Sequence, residues 1–213
     1  MPTQSSAARS EERTSGPRNA APVVPLSDRV LLERHARGDS DAFAQLMRIY
    51  QNPVYGYLVR SGIRPADRDD LFQQVFEKVH RASLRGLPDG PVRPWLFAIA
   101  ANTVRDAYRR ARVRSIVELD DTVGHAEPSE DERPDEAAER TEELSFLDRE
   151  IAKLPLEQRE ALLLCAVEGL PLADAAEALD VPVNTLKTRI RRARGALAMA
   201  AQRRQALQDR EGA

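Results

Sequence analysis

Apolar residues recur along this chain at three- and four-residue intervals with almost no two-residue alternation, so the pattern predicts helices and no strands. The clearest stretch runs from Leu170 to Met199. Leu172, Ala175, Ala176 and Leu179 share one helical face until Asp180-Val181-Pro182, where the proline removes the backbone donor that a continuing helix needs. A second helix is predicted from near Val183, with Val183, Leu186, Ile190, Ala193 and Leu197 inward and Asn184, Thr185, Lys187, Thr188, Arg191 and Arg192 facing elsewhere. Helix, tight turn and basic helix form the helix-turn-helix pattern, whose second helix lies in the major groove of DNA.

The same periodicity organises the rest of the chain. Ser27 is placed to cap a helix from Asp28 to Arg37 that Gly38 ends, and Asp39 or Ser40 to cap a longer one. The inward residues of that second helix are Phe43, Leu46, Met47, Tyr50, Val54, Tyr57 and Leu58, with a kink expected at Pro53 and an end at Ser61-Gly62. A third helix, about Ala66 to Arg81, turns Leu71, Phe72, Val75, Phe76 and Val79 inward and Asp67, Arg68, Asp69, Asp70, Gln73, Gln74, Glu77 and Lys78 outward. Glycines and prolines between Ser83 and Val92 interrupt regular structure. Pro94 suits the first turn of a fourth helix, whose buried side is Trp95, Leu96, Ile99, Ala100, Thr103, Val104 and Tyr108. Further on, Leu144, Leu147, Ile151 and Leu154 define one helix and Leu156 to Glu168 another, closed by Gly169.

Charge changes this picture by dividing the chain. Residues 115–143 carry twelve acidic and two basic residues, with two prolines and few apolar positions, which reads as a flexible, self-repelling linker. The expected organisation is therefore a disordered 1–26, a helical domain over 27–114, the acidic linker 115–143, a second helical domain over 144–205 and a disordered tail 206–213. The net charge of −2 conceals the sorting. Five arginines against one aspartate fill 105–114, and Lys187 to Arg204 holds seven basic residues and no acidic one. Both clusters exceed what helix dipoles require and point to a polyanion.

Candidate chemistry is otherwise sparse. Cys165 lies in the apolar run Ala161–Val167, where it reads as a small core residue, and the three histidines lack ligand spacing. No cofactor is expected. No apolar run of about eighteen residues and no leader pattern is seen, so a soluble cytoplasmic protein without membrane insertion is expected.

Two stretches carry a resemblance to a known family: ADRDDLFQQVFEKVHR followed by RPWLFAIAANTVRDAYRRARVR, and IAKLPLEQREALLLCAVEGLPLADAAEALDVPVNTLKTRIRRARGAL. In this paired order the chain resembles the extracytoplasmic-function (ECF) subfamily of bacterial RNA polymerase sigma factors. The resemblance implies an all-α fold of two small helical domains, sigma region 2 and sigma region 4 with its helix-turn-helix, joined by the flexible acidic linker. It implies that Asp69, Asp70, Gln73, Gln74, Glu77 and Lys78 contact the clamp helices of the core polymerase β′ subunit. Asn102, Arg105, Arg109 and Arg112 would read the −10 element, beside the loop Ser83 to Val92. Asn184, Thr185, Lys187, Thr188, Arg189, Arg191 and Arg192 would read the −35 element. The implied partners are core RNA polymerase through its β′ clamp helices and β flap, promoter DNA, and an anti-sigma factor.

Some positions depart from the family pattern. Asp180 replaces a turn glycine, Pro182 offers no side-chain oxygen to cap the recognition helix, and His80 stands where tryptophan is common. Two other readings remain to be weighed: a sigma-like decoy or helix-turn-helix regulator acting through protein contacts, which would be expected to lose the basic clusters, and an enzyme using Asp67, Asp69, Asp70, Glu77 and His80. The last lacks a second element supplying converging groups.

Overall fold

A computed structural model describes residues 27–117 and 142–211. Every regular element among the described residues is helical. The first unit comprises α1 (Asp28–Ala36), α2 (Ser40–Arg60), α3 (Pro65–Arg85) and α4 (Val92–Val117). The second comprises α5 (Glu142–Lys153), α6 (Leu156–Leu162), a π-helical turn (Leu163–Val167), α7 (Leu172–Ala178) and α8 (Val183–Glu211). The acidic segment lies outside the described residues apart from its ends, where α4 reaches Val117 and α5 begins at Glu142.

Local chemistry sets the boundaries. Ser27 caps α1 by accepting from the Val30 amide, and Asp39 caps α2 by accepting from Ala42 at 3.0 Å. Arg34 holds the same carboxylate at 2.7 Å. Pro53 stands inside α2. The third helix is longer than its apolar pattern indicated: it runs on to Arg85, with Ser83 buried and its hydroxyl donated to the His80 carbonyl at 2.8 Å. The interruption is therefore shorter than Ser83 to Val92, beginning at Gly86 and ending where Val92 opens α4.

The core of the first unit is made of Leu31, Leu32, Leu46, Tyr50, Val54, Tyr57, Leu58, Leu71, Val75, Phe76, Val79, Leu96 and Val104, all near zero exposure. Phe97 and Ala101, absent from the predicted inward face of α4, are also fully buried. Trp95 is partly buried against this core, as its spacing predicted. In the second unit Ile151, Leu154, Ala161–Leu164, Leu170, Ala175, Ala176, Leu179, Leu186, Ile190 and Ala193 pack together. Leu144 and Leu147 do not join them. They are 51% and 41% exposed, because α5 presents Ile151 inward and sets Phe146 beneath Arg204 of α8, whose guanidinium lies 4.6 Å from the ring centre. The tail also differs from expectation: α8 continues through 206–211 as helix.

A histidine pair joins α1 to α3. His35 is 6% exposed and its Nε2 lies 2.9 Å from His80 Nδ1, while Phe43 stacks on it at 4.4 Å. His35 Nδ1 is buried without a partner. Burial, then the neighbouring His80, holds the His35 pKa below its usual value, against a smaller opposing pull from Asp39. The folded state thus binds fewer protons than the unfolded chain. The stability contribution of neutral His35 is present above the unfolded value near 6.5 and lost as pH falls through it. Urea midpoints should therefore fall between pH 7 and 5.5 in the wild type and fall less in His35→Phe; equal slopes would show that His35 does not carry the dependence.

Candidate nucleic-acid and protein interfaces

The basic helix α8 is positioned by the turn before it. The Asp180 amide donates to the Glu177 carbonyl and the Val181 amide to the Ala176 carbonyl, both at 3.0 Å, which is the paired closure of a Schellman end with Asp180 in the left-handed position at φ +52°. Aspartate tolerates that region better than most side chains. Pro182 then contributes its carbonyl, which accepts from the Leu186 amide at 3.0 Å. Leu186 and Ala193 are fully buried and Ile190 nearly so, which fixes the rotation of α8. Asn184, Thr185, Lys187, Arg191 and Arg192 consequently project outward on the first turns.

Two predicted members of this face sit differently. The Thr188 hydroxyl donates to the Asn184 carbonyl at 3.0 Å. Arg189, 20% exposed, is held by Glu157 of α6 at 2.7 Å and so braces the domain's own surface.

On the first domain α3 carries two faces. Asp69, Asp70, Gln73 and Glu77 form an exposed polar ridge, with Asp70 accepting from Gln74 Nε2 at 2.6 Å and Glu77 from Arg81 at 3.1 Å. Gln74 and Lys78 belong to the flank toward α4. Gln74 Oε1 accepts from Arg110 at 3.4 Å, and Lys78 Nζ lies 3.0 Å from Thr103 Oγ1 and 3.4 Å from Asp106 Oδ2. Lys78 also lines an open groove of about 340 Å³ with Arg81, Ala82, Arg85, Ile99 and Asn102. The predicted polymerase set and the predicted −10 set therefore meet along the α3–α4 seam.

The −10 candidates are divided too. Asn102, Arg109 and Arg112 are exposed. Arg105 instead turns to the second domain, where its Nε donates to both carboxylate oxygens of Glu160 at 3.0 Å, while Nη1 donates to Asn102 Oδ1 at 3.0 Å.

Contacts between the domains are the part of the molecule that sequence reasoning missed. Arg93, at the start of α4, donates to the Glu168 carbonyl at 3.2 Å and to its carboxylate at 2.8 Å. Arg159 donates through Nη1 to the Ser61 carbonyl and to Tyr108 Oη at 2.9 Å, and through Nη2 to the carbonyls of Ala152 and, at 2.8 Å, Leu154. Tyr108 donates to the same Ser61 carbonyl at 2.7 Å. Gly62, at φ +77°, leaves the space: a Cβ there would stand 2.6 Å from Arg159 Nη1. Arg60 meets Asp148 at 3.3 Å. Burial pushes the pKa of Glu160 up against the pull of Arg105, and that of Glu168 up against the pull of Arg93. A signal existed in the spacing. Glu160 follows Leu156 by four and precedes Leu164 by four, and Glu168 follows Leu164 by four, so both carboxylates fall on the apolar face of their segment.

Asp67, Asp69, Asp70, Glu77 and His80 are strung along the single helix α3. Asp67 is held by Arg64 at 2.8 Å, His80 Nδ1 faces His35, and no group of three or more metal-ligating side chains occurs among the described residues.

Two family models match the two halves: Sigma-70 region 2 over residues 46–114 and Sigma-70, region 4 over residues 147–197. The RNA polymerase sigma-H factor of Pseudomonas aeruginosa is 35% identical over 182 residues, covering 82% of this chain and 94% of the relative. The ECF RNA polymerase sigma-E factor of Escherichia coli is 33% identical over 181 residues, covering 81% and 93%. Among solved structures, that of CnrH in complex with the cytosolic domain of CnrY matches with a TM-score of 0.61 and 29% identity, covering 82% of this chain and 97% of the other. The sigma factor RpoE bound to the anti-sigma factor NepR from Bartonella quintana, at a TM-score of 0.63 and 24% identity over 75% of this chain and 96% of that one, shares the fold. The chain belongs to the ECF RNA polymerase sigma factors, and its function is promoter-specific initiation of transcription with RNA polymerase.

Proposed function

We propose that the domain over 27–114 docks on core polymerase and reads the −10 element, that the domain over 144–205 reads the −35 element and meets the β flap, and that 115–143 links them. The observation that carries this reading is α8: Lys187, Arg191 and Arg192 project from a helix locked by buried Leu186 and Ala193, with no acidic residue from 187 to 204 to neutralise them. The exposed ridge of Asp69, Asp70, Gln73 and Glu77 supports the contact with the β′ clamp helices, and exposed Asn102, Arg109 and Arg112 support the −10 role. In this reading the chain is not itself an enzyme, because it supplies binding energy and strand separation while the polymerase transfers phosphoryl groups. No helix among the described residues is long and apolar enough to cross a membrane, which accords with work in the cytoplasm. Relatives whose structures were solved with CnrY or with an anti-sigma factor support regulation by such a partner.

In-vitro transcription with purified core polymerase, scored by sequencing transcript starts, tests the whole reading; an absence of defined start sites would overturn it. Within it, Arg191→Ala or Arg192→Ala should lose about 1–3 kcal/mol at one or two base positions of the −35 element. Equal loss over all promoter variants would reassign the side chain to phosphate. Asp70→Arg should weaken binding to core polymerase while leaving circular dichroism unchanged, since Asp70 is exposed beside buried Leu71. A loss of helix signal would place Asp70 in the fold rather than the interface.

A further inference from the structure

We propose that Arg29 is a positioning residue for −10 selection: from α1 its guanidinium grips the Pro88 carbonyl and so fixes the tip of the 86–91 loop beside the groove that carries Asn102. The inference rests on the −10 assignment of the first domain and brings into it a helix, α1, to which that assignment gives no part.

The loop has few means of holding itself. Pro88 and Pro91 have no amide hydrogen, and Gly86 and Gly90 have no side chain, so four of its six positions lack either a backbone donor or a packing group. Its first amide, that of Gly86, donates to the Ala82 carbonyl at 3.2 Å. Leu87 packs partly on the core, and buried Val92 follows the far end. From any other element the loop receives, among the described residues, a single hydrogen bond, in which Arg29 Nη1 donates to the Pro88 carbonyl at 3.0 Å. Asp89, Gly90 and Pro91, the exposed tip, come directly after the gripped carbonyl.

The donor itself is firmly seated. Tyr50, only 1% exposed, donates its hydroxyl to Asp28 Oδ2 at 2.5 Å, which ties the first turn of α1 to α2, and Leu31 and Leu32 are buried in the same core. Toward the other end of α1, His35 meets His80 of α3 at 2.9 Å. Arg29 thus reaches out from a fixed backbone. Glu33, one turn on, steadies its Nε at 3.4 Å. The loop it grips starts at the groove, because Arg85, the last residue of α3, lines that groove together with Arg81 and Asn102. The tip is therefore located from two sides, by the end of α3 and by Arg29. With its side chain 51% exposed, Arg29 adds little to the stability of the fold, and its contribution is the placement of the loop.

The full-length protein with purified core polymerase supplies the test. Initiation is compared on promoter pairs that differ at one −10 position and on pairs that differ at one −35 position. Arg29→Ala should lower −10 discrimination about three- to tenfold, the net effect of one hydrogen bond, and leave −35 discrimination and affinity for core polymerase unchanged. Arg29→Lys should restore part of the loss, since an ammonium still donates to a carbonyl. Glu33→Gln, which removes only the pair along α1, should match the wild type. In the free subunit, amide exchange at Leu87, Asp89 and Gly90 should be faster in Arg29→Ala while exchange in the core helices is unchanged. Unchanged exchange at the loop would overturn the tether. Faster exchange with −10 discrimination intact, or an equal loss at both elements, would overturn the positioning role. Failure of the promoter assignment reads out separately, as an absence of defined starts with the wild-type protein while exchange at the loop still responds to Arg29→Ala.

Discussion

Phe97→Ala is expected to lower the free energy of unfolding by about 3–5 kcal/mol, the range for removing a large aromatic side chain from a closed core. Phe97 is fully buried, its ring meets that of Tyr57 edge-on at 5.8 Å, and the Arg93 guanidinium lies 5.3 Å from its centre. The cavity would therefore open beneath the residue that grips Glu168. Urea unfolding followed by circular dichroism should show a lower midpoint with an unchanged slope. A shift below about 1 kcal/mol would mean that the neighbouring side chains collapse into the gap.

Arg159→Ala should be nearly as damaging, on the order of 3 kcal/mol, because it removes a buried guanidinium together with the methylenes that carry it. It strips the arginine donors from the Ala152 and Leu154 carbonyls and leaves the Ser61 carbonyl with Tyr108 alone, and Arg159 itself is only 7% exposed. Each buried acceptor left unpaired costs about 1–3 kcal/mol unless water replaces the donor. Arg159→Lys should recover little, since an ammonium cannot reproduce the planar fork that serves two separate sets of carbonyls. Thermal melts of the two variants check this; full recovery in the lysine variant would show that charge alone matters.

Periodicity made the helices legible because it reports which side of each segment avoids water. Leu186, Ile190 and Ala193 fell where the pattern placed them, and so did Leu71, Val75, Phe76 and Val79. Cap chemistry was equally readable at Ser27 and Asp39. What periodicity does not report is the identity of the neighbour. Leu144 and Leu147 have the right spacing, yet α5 turns Ile151 inward, sets Phe146 beneath Arg204 and leaves the two leucines exposed. The π turn over Leu163–Val167 was hidden for a related reason, since one extra residue per turn hardly disturbs so uniformly apolar a run. For the candidate sites, exposure on the recognition helix followed from the stripe opposite it. The diversion of Arg105, Arg189 and Lys78 depended on partners remote in sequence: Glu160, Glu157 and Asp106.

The length of α8 has a mechanical consequence. Its 29 residues make a rod of about 43 Å, with the turns proposed to read bases at one end and Arg204, seated on Phe146, near the other. A rod transmits tilt without loss. Pivoting it by about 10° at one end sweeps the other through about 7 Å, close to two base-pair steps at about 3.4 Å each. On the proposed −35 assignment, register on DNA would therefore depend on the seating of Arg204 against α5 as well as on the side chains of the first turns.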